Sequence, residues 1–212
     1  MKAIVFKEHG GVEKLCYTDF PMPEPNDGEC LVRVRAVALK GFDPMILGGD
    51  VSGEVAGFGP DTDVGAWKVG DRVLVDPMMI AKGGVLGETV IGGEAEYVTV
   101  PLANLIAIPE GVSFQDAAAL PIAYGTAHRM ILNRGRVTAG DKVLVMGASG
   151  GVGTCCVQLA KMVGAEVAAC TSSAVKGEKL RTMGADHIID TSRENYVEAT
   201  RALWGRPRVF GD

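Results

Sequence analysis

Apolar residues along this chain change rhythm once. Over roughly the first 110 positions they come in short, Val-rich, partly alternating runs: KAIVFKEH, ECLVRVRAVAL, DVSGEVAGFG, DRVLVDP and AEYVTVP. Gly, Pro and Asp punctuate them, and helical periodicity is scarce. This pattern predicts a small β-barrel or an irregular sheet. Near Ser113 the texture shifts. Ser113-Phe114-Gln115-Asp116 followed by AAAL reads as a helix start, with Ser113 as cap and Asp116 in the first turn. Pro121 is expected to interrupt, with a second helical stretch from about Tyr124 to Asn133. Beyond it the pattern predicts strand 142–146, helix 151–163, strand 166–171, helix 175–183, strand 187–189 and helix 194–203. That alternation is the βαβ rhythm of a parallel sheet covered by helices.

Composition changes this picture little. The 212 residues are 47% hydrophobic and 22% charged, enough apolar material for a core. The formal net charge is −5 with both signs interspersed, so no basic stripe invites nucleic acid or an anionic membrane. MKAIVFKEHGG turns polar too soon for a signal peptide, and no apolar run is long enough to span a bilayer. The five cysteines form no CxxC pair. They are expected as reduced thiols packed like small hydrophobes in a cytoplasmic protein. One short echo links Val69-Gly70-Asp71-Arg72-Val73-Leu74-Val75 with Ala139-Gly140-Asp141-Lys142-Val143-Leu144-Val145. Two copies in different contexts predict turns feeding strands, not a repeat architecture.

Candidate chemistry centres on VLVMGASGGVG, residues 143–153. Glycines at such spacing also occur in tight turns that bind nothing. Here an apolar run precedes them, as in a parallel strand buried on both faces. After them Val152, Cys155, Cys156, Leu159, Ala160 and Val163 recur at helical spacing. The loop therefore sits at a strand-to-helix junction, where free N–H groups and the helix dipole favour a pyrophosphate. The fingerprint is set as Ala148-x-Gly150-x-x-Gly153. Gly150 lets the backbone approach the phosphates and Gly153 lets helix and strand pack closely, with Ser149, Gly151 and Val152 completing the cradle.

The end of the second strand points to the nucleotide. NAD-binding folds usually place Asp or Glu there for the ribose 2′-hydroxyl. This chain reads Thr171-Ser172-Ser173-Ala174-Val175-Lys176, with no acid before Glu178. Ser172 and Ser173 suit a 2′-phosphate as donors and Lys176 as counter-charge, which favours NADP(H) over NAD. The simpler reading makes Ser172 or Ser173 a helix cap and Lys176 a solvated side chain. Both readings can hold together.

Taken together, MKAIVFKEHGG, DVSGEVAGFGPDT, WKVGDRVLVDP, GGEAEYVTVP, AAALPIAYGTAHRMI, GDKVLVMGASGGVG and GADHIID resemble the medium-chain dehydrogenase/reductase superfamily. The likeness is to its quinone-oxidoreductase and zinc-type alcohol-dehydrogenase branches, and it runs nearly end to end. It implies an α/β protein with a β-rich N-terminal part: a GroES-like β-barrel catalytic domain over 1–122, then a partial, doubly wound Rossmann domain over 123–212. It also implies NADP(H)-linked hydride transfer to a small-molecule substrate, a quinone, enone or small carbonyl, and it leaves room for a homo-oligomer.

The chain departs from the zinc-dependent members. Lys40 stands where they place a cysteine, three residues before Asp43, and Gly49-Asp50 stand where they place a His-Glu pair. The stretch from Asp76 to Gly93, which matches their cysteine-rich lobe, has no cysteine, so no metal site is expected. Lys40 could support a developing oxyanion or be a solvated loop lysine, and Asp43 could organise the turn before Pro44. Tyr124 and Thr126 could approach the nicotinamide, Tyr124 equally serving as a core aromatic. Between Ile46 and Asp50 the chain is shorter than the family. It stops at Asp212, where relatives continue into a fourth sheet strand, so strand 142–146 is expected at an edge. Two functions therefore stay open: an NADPH-dependent, zinc-independent oxidoreductase, and a catalytically silent NADP-binding or interaction module.

Overall fold

A computed structural model describes residues 1–8, 10–38 and 46–205. The chain divides into two compact units, Met1–Ile122 and Ala123–Asp212.

The first unit is an irregular β-structure. Strands β1 (Lys2–Val5) and β2 (Cys16–Asp19) form an antiparallel hairpin, and β1 meets Ala95 through Ala3. β3 (Glu29–Ala38), β4 (Asp50–Phe58) and β5 (Arg72–Val75) follow, then the short ribbon of β6 (Met78–Met79) and β7 (Gly84–Val85). With β8 (Tyr97–Pro101) and β9 (Leu105–Ala107) they complete an antiparallel sheet of order β8-β3-β4-β5-β9. Alternation explains its core: Cys30 and Val32, Val73 and Val75, and Val98 and Val100 turn to one face and bury together with Val51, Val55, Met79 and Leu86. Two register shifts in the β3–β4 pairing bend the sheet. All five strand-like runs read from the sequence contain a strand; β2, β9 and the β6–β7 ribbon are additional.

Helix α1 (Phe114–Ala118) covers this sheet. As expected, Ser113 caps it, its Oγ accepting from the Asp116 N–H at 3.0 Å. Ser52 Oγ donates to the Phe114 carbonyl at 2.6 Å, and the Arg72 guanidinium lies 4.6 Å from the Phe114 ring centroid. The expected break is present at Ala119 and Leu120, but the second helix starts earlier than about Tyr124: Pro121 is the first residue of α2 (Pro121–His128). Proline suits that position because the first helical N–H needs no partner. The Ile122 N–H is taken by Asp50 Oδ1 at 3.0 Å. A π-helical turn, Arg129–Arg134, continues from α2.

In the second unit, β10 (Lys142–Val145), α3 (Gly151–Met162), β11 (Glu166–Thr171), α4 (Ala174–Thr182), β12 (His187–Asp190) and α5 (Tyr196–Trp204) alternate as predicted. The strands are parallel in the order β10-β11-β12. On one face α3 and α4 bury Cys155, Cys156, Val157, Ala160 and Leu180 against Val145, Val167 and Ala169. On the other, Ala199 and Trp204 of α5 cover Ala168, Cys170 and Ile189. β10 lies at the sheet edge among the described residues. Val143 and Leu144 are consequently only half-buried, not sealed on both faces as the apolar run suggests. The echoed turns are alike in detail: Asp71 Oδ2 accepts from Lys68 N at 3.0 Å, and Asp141 Oδ2 from Thr138 N at 2.7 Å.

The thiol expectation needs one correction. Cys30, Cys155, Cys156 and Cys170 are buried, but Cys16 is exposed, on a strand with no buried residue. All five are free.

Candidate functional site

The glycine loop lies at the carboxyl end of β10. The chain leaves Val145, turns through Gly147 in the left-handed region (φ 59°) and sends Ala148 inward, where it is 0% exposed. The Ala148 N–H donates to the Cys170 carbonyl at 3.1 Å, tying the loop to β11. Gly150 N–H returns to the Gly147 carbonyl at 3.0 Å, and Gly150 then caps α3 in extended geometry without a side chain. A Cβ on Gly153 would lie 2.3 Å from the Gly147 oxygen and 2.8 Å from Ala148 Cα. Only glycine lets α3 start this close to the strand. The N–H groups of Gly151, Val152 and Gly153 are those a helix leaves without an internal acceptor. No acidic residue occupies the first turn of α3, so the dipole there meets no counter-charge.

The second half of the site follows β11. Thr171 is buried and connects the two loops: its Oγ1 donates to Ser149 Oγ at 3.5 Å and accepts from the Ser173 N–H at 3.3 Å. Ser173 caps α4, its Oγ accepting from the Lys176 N–H at 3.4 Å. Ser172 and the Lys176 side chain are exposed beside it, and the first turn of α4 has no acid either. Glu178 points away to an ion pair with Arg181. The capping role of Ser173 is thus present, and it leaves Ser172 and Lys176 open to an anion.

The structure brings Ala148, Ser149, Gly150, Gly151, Val152 and Gly153 together with Ser172, Ser173 and Lys176 at the ends of adjacent strands. Tyr124 is half-buried and packs on the core that includes Val145 and Ala148, as the core-aromatic reading has it. Thr126 is exposed on α2. Lys40 and Asp43 lie outside the described residues. Sequence reasoning overlooks Gly147 and Thr171. A glycine directly ending the apolar run marks the first; nothing local marks the second.

Among the described residues no three His, Cys, Asp or Glu side chains are grouped to hold a metal ion. Burial first, then the neighbouring Cys155, pushes the Cys156 thiol up; burial first, then Glu194, does the same for Cys170. Both are held as protonated thiols, which are poor ligands. Among the described residues no helix is long and apolar enough to cross a membrane.

Two parallel strands each open into a helix N-terminus with no acid in its first turn, the βαβ geometry that suits an anion. Comparison with known proteins makes the class specific. Residues 26–110 match the alcohol dehydrogenase GroES-like domain, and residues 151–210 match the zinc-binding dehydrogenase family. A solved NAD-dependent alcohol dehydrogenase superposes with a TM-score of 0.86 at 34% identity, covering 97% of this chain and 68% of that one. The quinone oxidoreductase of Pongo abelii is 31% identical over 99% of this chain and 64% of its own length. The NADPH-dependent alkenal/one oxidoreductase of Arabidopsis thaliana, a chloroplastic protein, is 34% identical over 92% of this chain and 53% of its own. The chain belongs to the medium-chain dehydrogenase/reductase superfamily. It is α/β, with a GroES-like N-terminal part followed by a partial Rossmann-type parallel sheet, and it spans less than two-thirds of each of these two curated relatives.

Proposed function

We propose that this chain binds NADP(H) and serves a zinc-independent oxidoreductase acting on a quinone, enone or small carbonyl, with residues 1–122 as its catalytic domain and 123–212 as its dinucleotide domain. One observation carries the reading: two helix N-termini without acids open at adjacent strand ends, with Ser172, Ser173 and Lys176 where an NAD-type site would hold a carboxylate. The backbone N–H groups of Gly151–Gly153 would hold the pyrophosphate. Ser172, Ser173 and Lys176 would hold the 2′-phosphate, the lysine as a point charge. When bound, the dinucleotide supplies the hydride. The protein's part is then to position it and exclude water, which needs no obligatory acid. Zinc independence is supported by Asp50, whose Oδ1 accepts the Ile122 N–H, and by Gly49 beside it. A cytoplasmic setting fits five cysteines outside any disulfide.

Titration of the purified chain with NADPH and NADH, followed by nicotinamide fluorescence, tests this. NADPH should bind at least about tenfold more tightly, and Lys176→Glu should erase most of that difference. Equal affinity for the two would refute the phosphate assignment, and no binding of either would refute the site.

A second reading is a module that holds the dinucleotide without turnover. NADPH binding with no NADPH oxidation by quinones or enones would select it.

A further inference from the structure

Glu94 has no part in the cofactor cradle, yet its placement in the first unit is unusual. Its backbone is fully engaged: the N–H donates to the Leu47 carbonyl at 2.9 Å, and its own carbonyl accepts from Ile4 N at 2.8 Å. Gly92 N donates to Ile46 O at 2.9 Å and Gly93 N to Gly48 O at 2.8 Å. Residues 92–94 thus form a seam that fastens 46–48 to β1. The Glu94 side chain turns inward and is 7% exposed, and Oε2 is buried without a hydrogen-bond partner. A Cβ on Gly48 would lie 3.1 Å from Glu94 Cγ and 2.5 Å from Val37 Cγ2, so the stem of the glutamate lies directly under the Gly48 backbone.

The charged groups on the surrounding elements are committed elsewhere. On β1, Lys2 pairs with Asp19 at 2.7 Å, and its backbone N–H goes to Glu96. On β3 and β4, Arg35 pairs with Glu54 at 2.7 Å, and Asp50 takes the Ile122 N–H. Ile46, Leu47 and Gly48 carry no charge. Burial raises the Glu94 carboxyl above the usual carboxylate range, with no charged neighbour among the described residues opposing it. A buried carboxyl in such a place is tolerated as the acid and resisted as the anion.

We propose that Glu94 is a proton-dependent latch: as the acid it lets 46–48 lie closed on Gly92–Glu94, and on losing its proton to solvent it drives this seam open so that water reaches the carboxylate. A group whose folded-state pKa is raised weakens the fold as pH climbs. The seam is therefore fully closed below the ordinary carboxylate range, and it loosens progressively up to Glu94's own raised value. The seam directly follows the stretch in which the resemblance places Lys40 and Asp43. The latch does not depend on the oxidoreductase reading.

Native-state hydrogen exchange of the full chain across a pH series, corrected for intrinsic exchange, tests it. Protection of the Ile4, Gly92, Gly93 and Glu94 amides should fall with rising pH, by up to about tenfold per pH unit within the window. In Glu94→Gln it should stay flat. The same loss in Glu94→Gln, or no loss in the parent chain, overturns the proposal. Should the variant not fold, the carboxyl-carbon chemical shift of Glu94 in the parent chain decides. A raised midpoint that tracks amide opening supports the latch, and an ordinary carboxylate midpoint overturns it.

Discussion

The closest approach in the glycine loop can be probed with a single methyl group. In Gly153→Ala the new Cβ would lie 2.3 Å from the Gly147 oxygen, 2.8 Å from Ala148 Cα and 2.9 Å from Ala148 C. Against an ordinary contact of about 3.5 Å, the deepest overlap is roughly 1 Å. All three obstacles are backbone, so no rotamer change relieves it, and α3 must lift from the strand. Overpacking of this kind costs about 1–3 kcal/mol, and a rigid backbone obstacle places it in the upper half. The gain in helix propensity returns about 1 kcal/mol, leaving a net loss of about 1–2 kcal/mol. Gly151→Ala is the control. A Cβ there meets nothing within 4 Å, so that variant should be neutral or slightly stabilised. Urea unfolding followed through Trp204, which reports on the second unit, should separate the two variants by about 1–3 kcal/mol. NADPH affinity should fall in Gly153→Ala along with stability, because lifting α3 turns the N–H groups of residues 151–153 away from the pyrophosphate. Equal stability of the two variants would refute the packing argument. A destabilised Gly153→Ala with unchanged NADPH affinity would refute the link between this packing and the cradle.

Removing the α1 cap with Ser113→Ala forfeits the bond to the Asp116 N–H, and should cost the first unit about 1 kcal/mol in urea unfolding. At the amino end of the parallel sheet, Glu166 Oε1 accepts from Trp204 Nε1 at 2.9 Å and contacts His187 Nε2 at 2.8 Å. The Trp204 bond first, then His187, holds its carboxyl below the usual range. Its contribution is therefore present in full above the ordinary carboxylate pKa and is lost as pH falls through the lowered value. Acidification should shift Trp204 emission in the parent chain and not in Glu166→Gln; an identical acid step in both would exclude this fastening. Burial pushes the Cys30 thiol up to about 12, and only Cys16 is exposed. A thiol reagent should accordingly label one cysteine of the native protein, none in Cys16→Ser, and all five in urea, a native count above one contradicting the burial described.

Much of the second unit is legible in the sequence because each strand and helix there signals itself within its own residues. Strand 166–171 is found as read, and strand 142–146 ends one residue early, at Val145, before the exposed Met146. The first unit is less legible because its edges depend on distant partners. The four residues of β2 are all exposed and show no alternation, and they are a strand only because β1 pairs with them. β9 likewise exists through β5. The π-helical turn after His128 has no sequence mark. In the cradle, the glycine spacing led to Gly150 and Gly153, but the left-handed turn belongs to Gly147, one residue before the alanine given the first position of the pattern. Thr171, Asp50 and Glu94 matter through contacts made across the fold, which spacing along the chain does not encode. The roles of Lys40 and Asp43 came from the family resemblance alone.

The strand orders of the two units have a consequence for the protein while it is being made. In the second unit each strand is laid beside its immediate predecessor, over a separation of about two dozen residues, so the sheet can grow in the order of synthesis. In the first unit β3 must await β8, about seventy residues later, and β5 must await β9. Until Leu105–Ala107 has left the ribosome, the valine-rich strands of the first unit have no complete set of partners. The nascent chain thus exposes the valine-rich strands of the first unit until that point. A chaperone acting on this protein has its period of use before the glycine loop has been translated.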